Sequence, residues 1–190
     1  MNMNSNHHPK STRNIRTACN RNIVISQKAI SHLEAHPGVM MVLPEAIGRA
    51  RLPAESFVEM EVDLGRVLGR ASRVRTEPCD LTTQILFASR TGRDKPSRVA
   101  PMGSIGEETT SVVVIARQSR DDPQTYILVT AWLGKLARRE PWDPMIKTEA
   151  DYQDCLRFWC SNALIHDSEV MGEIFTSTWE EVIGLPRKFT

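Results

Sequence analysis

Two histidines four residues apart, His32 and His36, and the basic stretch ASRTGRDKPSRV from Ala88 to Val99 are the residues here whose types and spacing could do chemistry. Cleaving RNA without a metal makes three demands. One group takes the proton of the 2′-hydroxyl, another returns a proton to the leaving 5′-oxygen, and cationic or hydrogen-bonding groups hold the charged phosphorane between them. Histidine suits the proton steps, since its unperturbed pKa of about 6.5 lies close to neutrality. Arginine suits the phosphate, because its planar fork bonds two oxygens at once. In the basic stretch, Arg90, Arg93, Lys95 and Arg98 surround a Gly-containing loop whose backbone N–H groups could also face a phosphate.

Both features have plainer uses. A histidine near a helix end caps carbonyls, and a basic loop is often a solvated turn. His-Leu-Glu-Ala-His is not the H-E-x-x-H pattern, and Cys19, Cys79, Cys155 and Cys160 contain no C-x-x-C pair, so neither a metal nor a cofactor is expected. Farther on, the run TYILVTA places Tyr126 and Thr130 four apart, on one face of a strand by its period of two. Tyr126 could stack on a base or bond a phosphate; it could equally cover the edge of the core. Thr130 breaks the apolar run with a hydroxyl, though threonine is also a good strand former.

The elements that must position these groups are legible in outline. Residues 1–22 carry four Lys and Arg residues, no acid and few apolar groups, which predicts a disordered basic arm. A single domain is expected over 23–190. Ser26 can cap a helix that should end near Pro37, with Ile25 and Ile30 at staple spacing. From Phe57 the period changes to two: Val58, Met60, Val62 and Leu64 alternate with Glu59, Glu61 and Asp63. Further strands are expected near 67–74, 85–88, 111–116 and 125–133, the last two joined as a hairpin through a polar turn. A helix from Thr148 should bury Tyr152, Leu156, Trp159 and Ala163, and a last short helix should follow a capping box of Ser177 with Glu180. The fold class is therefore α+β: an N-terminal helix, a twisted antiparallel sheet, and C-terminal helices packed on it.

Net charge is only +1, with 41% hydrophobic residues, which argues against a protein that wraps a long nucleic acid. Between Arg66 and Arg98, however, eight basic residues face only Glu77, Asp80 and Asp94, a local excess suited to phosphates or to a solvated face. No apolar run reaches the roughly 20 residues of a membrane span, and no signal-peptide core precedes the domain, so a cytoplasmic protein without a membrane role is expected.

The fragments VISQKAISHLEAHP and TYILVTA, in helix-then-sheet order, resemble the superfamily of metal-independent ribonucleases that includes barnase, EndoU, RelE and the tRNA-cleaving colicins, in its phage and mobile-element forms. That resemblance implies an endoribonuclease-like toxin domain that cleaves RNA by 2′-OH transesterification and has a neutralising protein partner. Residue by residue, it implies His32 as proton carrier with His36 as its competitor, Arg98 as phosphate clamp and Ser97 as its support. Thr130 would be an orienting donor, with Arg90, Arg93, Lys95 and Tyr126 on the substrate. The pattern is incomplete, since no Tyr or His near the carboxyl end completes a triad, and His166 is the candidate for that place. The alternative is a catalytically inactive module of the same fold that binds RNA or protein.

Overall fold

A computed structural model describes residues 12–34 and 37–184. The first elements are β1 (Arg13–Arg16), β2 (Asn22–Ile25), α1 (Gln27–Glu34), α2 (Pro37–Arg49), β3 (Phe57–Asp63), β4 (Gly69–Arg70), β5 (Arg73–Arg75) and β6 (Ile85–Arg90). They are followed by β7 (Ser97–Arg98), β8 (Glu108–Thr109), β9 (Ser111–Gln118), β10 (Thr125–Leu133), α3 (Glu149–Trp159), β11 (Asn162–Leu164), β12 (Met171–Ser177) and α4 (Trp179–Ile183). The chain divides into two compact units, Met1–Gly65 with Ser111–Trp132, and Arg66–Thr110 with Leu133–Thr190. The α+β class holds, with mostly antiparallel pairing. Among the described residues no helix is long and apolar enough to cross a membrane.

The first unit is built on a five-stranded sheet of order β1-β2-β10-β9-β3. Strand β3 pairs antiparallel with β9 from Phe57↔Arg117 to Asp63↔Ser111, and β2 runs parallel to β10. The alternation read from Val58 to Leu64 is kept: Val58 and Leu64 are buried while Glu59, Glu61 and Asp63 face water. Central β9 instead buries Ser111 to Val114 consecutively, as expected for a strand flanked on both sides and covered on both faces.

The expectation of a helix at the start of the fold is corrected, because β1 and β2 come before α1. Residues 13–16, placed in the disordered arm by composition, pair with β2 from Arg13↔Ile25 to Arg16↔Asn22. Charge and a polar surface are what an edge strand carries to resist further pairing, so composition alone could not tell it from a free arm. Pro37 ends α1 as expected but also starts α2, where a proline's missing N–H costs nothing. Helix α2, unforeseen, buries Val39, Leu43, Ala46 and Ile47 at helical spacing.

The second unit contains a three-stranded sheet, β12-β6-β7, and two short pairs, β11-β5 and β4-β8. The expected strand over 67–74 is split into β4 and β5. Gly106 lies so close to this turn that an added Cβ would sit 1.9 Å from the Ala71 carbonyl oxygen. The C-terminal part is not purely helical. Ala163, expected on the α3 stripe, lies on β11 opposite Val74, and β12 pairs with β6. The stripe itself holds at Tyr152, Cys155, Leu156 and Trp159, and Thr148 caps α3 by accepting from Asp151 N. The capping box of α4 is one residue later than predicted, at Thr178 and Glu181, and Gly184 closes the helix with φ 74°.

The core of this unit joins Phe87, Trp159, Tyr152 and Trp179, with Trp179 fully buried edge-on to Phe87 at 5.0 Å between ring centroids. Replacing Trp179 by Ala should cost about 3–5 kcal/mol. Chemical denaturation checks this, and a loss below about 1 kcal/mol would mean that the site collapses or that Trp179 is not central.

Candidate functional site

Strands β6 and β7 pair antiparallel, with Phe87↔Arg98 and Ala88↔Ser97, and the loop between them turns at Gly92 with φ 76°. The end of this loop is fastened residue by residue. Lys95 Nζ donates to the carbonyls of Val182 at 2.6 Å and Ile183 at 2.8 Å, at the C-terminal end of α4, where a cation also meets the helix dipole favourably. The Pro96 carbonyl accepts from Trp142 Nε1 at 3.0 Å.

Ser97 and Arg98 follow as neighbours on a strand, so their side chains leave in opposite directions. Arg98 is 5% exposed. Its guanidinium donates to the Trp159 carbonyl at 2.7 Å, to the Glu77 carbonyl at 3.4 Å and to Cys79 Sγ at 3.4 Å. Burial lowers its pKa from the ordinary arginine value, while the Cys79 and Cys160 sulfurs act the other way. An arginine so placed ties α3, β7 and the segment after β5 together. Its fork is occupied by the protein's own acceptors.

On the other side of the strand, Ser97 neighbours Glu140, which is 7% exposed although it is ionisable. Arg90 Nη1 lies 3.7 Å from Glu140 Oε2. Burial is the main influence on this carboxyl and raises its pKa above the ordinary 4.5; Ser97, Arg90 and Arg93 pull it down, and Asp143 adds to the rise. Burial outweighs the ion pair because 3.7 Å is too long for a strong charge-assisted hydrogen bond. Ser97 Oγ and Glu140 Oε1 are both buried without a hydrogen-bond partner, close enough to influence each other but not aligned as a bond. Buried polar atoms without a partner are uncommon in folded proteins.

The stretch that carries Glu140 is positioned by two tryptophans. Trp159 Nε1 donates to the carbonyls of Arg138 and Arg139, each at 3.0 Å, and Trp142 binds Pro96 as described. Glu140 is not among the residues that type and spacing single out in the sequence. The available signal was a carboxylate set between the basic Arg138 and Arg139 and two residues suited to burial, Pro141 and Trp142.

The expected site residues are thus divided. Arg90, Arg93 and Ser97 gather around Glu140, with Arg93 exposed on the loop. Arg98 and Lys95 are internal fasteners. Tyr126 and Thr130 belong to the other compact unit, on β10. Tyr126 is fully buried; its hydroxyl donates toward the Pro53 and Glu55 carbonyls, at 3.1 and 2.9 Å, and accepts from Arg21 Nη1 at 3.2 Å. Thr130 is half-buried. Burial changes phase between Leu128 and Ala131, so the shared face expected for Tyr126 and Thr130 does not carry through the strand. His32 lies on α1 in the same unit as Tyr126, but its side chain, like His36 as a whole, is outside the described residues. His166 Nε2 sits 2.9 Å from the Gly172 carbonyl, which fixes that nitrogen as the donor.

Comparison with protein-family models, with curated proteins and with solved structures finds no match.

The raised Glu140 pKa has a consequence for stability. The folded state keeps this proton to higher pH than the unfolded chain, so the contribution is fully present below the ordinary 4.5 and is lost as pH rises through the folded value. Glu140→Gln should abolish that loss. Denaturation midpoints measured from pH 4 to 8 should therefore move in favour of the variant as pH rises, and a constant difference would contradict the raised pKa.

Proposed function

We propose that the chain is a metal-independent endoribonuclease-like domain, acting on RNA by transesterification, with the Glu140 cluster as its chemical centre. The observation that supports this reading is the buried carboxyl itself. A Glu whose pKa is raised by desolvation is better matched to proton transfer near neutrality than an exposed one. Taking the 2′-hydroxyl proton, Glu140 would let the 2′-oxygen attack phosphorus while the P–O5′ bond breaks and the leaving 5′-oxygen takes a proton from water, giving a 2′,3′-cyclic phosphate and a 5′-hydroxyl. Arg90 and Arg93 are the cations placed to hold the phosphorane, and Ser97 is the neighbouring hydroxyl. Glu140 thereby takes the proton-carrying role expected of His32, and Arg90 and Arg93 take the phosphate-holding role expected of Arg98, whose donors are used internally. In this reading the protein acts in the cytoplasm and is held in check by a neutralising protein partner.

One observation favours a second reading. Because Arg98 and Lys95 spend their donors inside the protein, the same unit would also suit a catalytically silent module that binds RNA or a protein through its outer basic residues.

Incubation of wild type, Glu140→Gln and His32→Ala with total RNA and a tRNA pool in EDTA, followed by end-group analysis, separates the two. The catalytic reading expects cyclic-phosphate products from wild type, reduced about 100-fold or more in Glu140→Gln, and His32→Ala tests whether the α1 histidine takes part. Intact RNA with folded wild type, or equal cleavage by Glu140→Gln, would overturn it. Salt-sensitive binding without cleavage would support the silent module.

A further inference from the structure

The two thiols beside Arg98 belong to residues far apart in sequence, Cys79 in the segment after β5 and Cys160 at the end of α3. The backbone joins them directly: Cys79 N donates to the Cys160 carbonyl at 2.9 Å. Bond lengths across that contact keep the two Cα atoms within ~6.8 Å, the upper limit for a disulfide. The thiols are also in side-chain contact, and each lies within the field of the Arg98 guanidinium, which donates to Cys79 Sγ at 3.4 Å. Neither is bonded to another cysteine.

The members of the pair differ in access. Cys79 is partly exposed, whereas Cys160 is 7% exposed. Burial, reinforced by the Cys79 sulfur, pushes the Cys160 thiol up to about 12, so it stays protonated. A peroxide in solution can therefore reach the Cys79 sulfur, and the Cys160 sulfur lies next to it. The arrangement is an attacking thiol next to a resolving one.

We propose that Cys79 and Cys160 are an oxidation site, a dithiol that a hydroperoxide converts into an intramolecular disulfide. The Cys79 thiolate attacks one peroxide oxygen, the O–O bond breaks, and hydroxide leaves and takes up a proton as water, giving a sulfenic acid at Cys79. The Cys160 sulfur then attacks the Cys79 sulfur, the S–O bond breaks, and the hydroxyl departs as a second water with the Cys160 proton. Two thiols lose two electrons in all, and the peroxide is reduced to two waters. The bridge would staple the segment after β5 to the end of α3 and remove the Cys79 thiol from the acceptors of Arg98. This inference does not rest on the ribonuclease reading.

The test treats the full chain carrying Cys19→Ser, which removes an exposed thiol able to link two molecules, with hydrogen peroxide. The protein is then denatured, alkylated and digested with trypsin. The expected result is that alkylatable thiols fall from three to one, Cys155, and that the peptide of residues 76–90 is found joined to the peptide beginning at Phe158. Adding Cys160→Ser should abolish the joined peptide and leave Cys79 reactive toward dimedone as a sulfenic acid. Three alkylatable thiols after peroxide, or oxidation of Cys79 with Cys160 still free in the Cys19→Ser chain, would overturn the proposal.

Discussion

Two buried ionisable side chains, Arg98 and Glu140, one on each side of strand β7, are the constraint on which the second unit depends. Arg98 must find acceptors because it is 5% exposed, and it finds them in the carbonyls of Trp159 and Glu77. Glu140 must be kept away from water with only a long ion pair to Arg90 and the nearby Ser97 hydroxyl. If the acceptors of Arg98 moved away, its charge would be left buried and uncompensated, a penalty of about 3–5 kcal/mol. Well-packed apolar residues would hold these elements together more cheaply. Burying Glu140 with an unpaired oxygen is therefore hard to explain as packing alone.

The tryptophans make that burial feasible. Trp159 serves three purposes: its ring fills the core, its carbonyl accepts from Arg98, and its indole N–H fixes the carbonyls just ahead of Glu140. Trp142 ties the residues after Glu140 to Pro96, next to Ser97. The carboxylate is thus positioned from both sides along the chain, and the strand it faces is positioned by the same two rings. Position, desolvation and the adjoining cations come from one set of contacts.

Much of the local architecture was legible in the residues. The alternation from Val58 to Leu64 and the stripe of α3 follow from a period that burial enforces, and the expected strands over 111–116 and 125–133 from their apolar runs and the polar turn between them. What was not legible depended on long-range pairing. Strand β1 has the composition of a solvated arm because an edge strand needs charge. Strand β11 is only three residues long, β12 shows no clean alternation, and their partners are about 90 residues earlier, so no local pattern marks them. The site was legible in part for the same reason. Arg90, Arg93 and Ser97 were singled out by type, but whether an arginine faces solvent or a carbonyl is decided by its neighbours in space. The donors of Arg98 are accordingly spent on internal carbonyls, and no local pattern marks the burial of Glu140.

The account turns on the protonation of one buried side chain, and the most direct test follows the Glu140 carboxyl carbon by NMR in protein labelled at its glutamates, with Glu140→Gln to assign the signal. A titration midpoint clearly above the ordinary 4.5 is the predicted result. A midpoint at or below that value would mean that Arg90, Arg93 and Ser97 stabilise the carboxylate more than burial opposes it, leaving a structural ion pair in place of a proton-transfer centre.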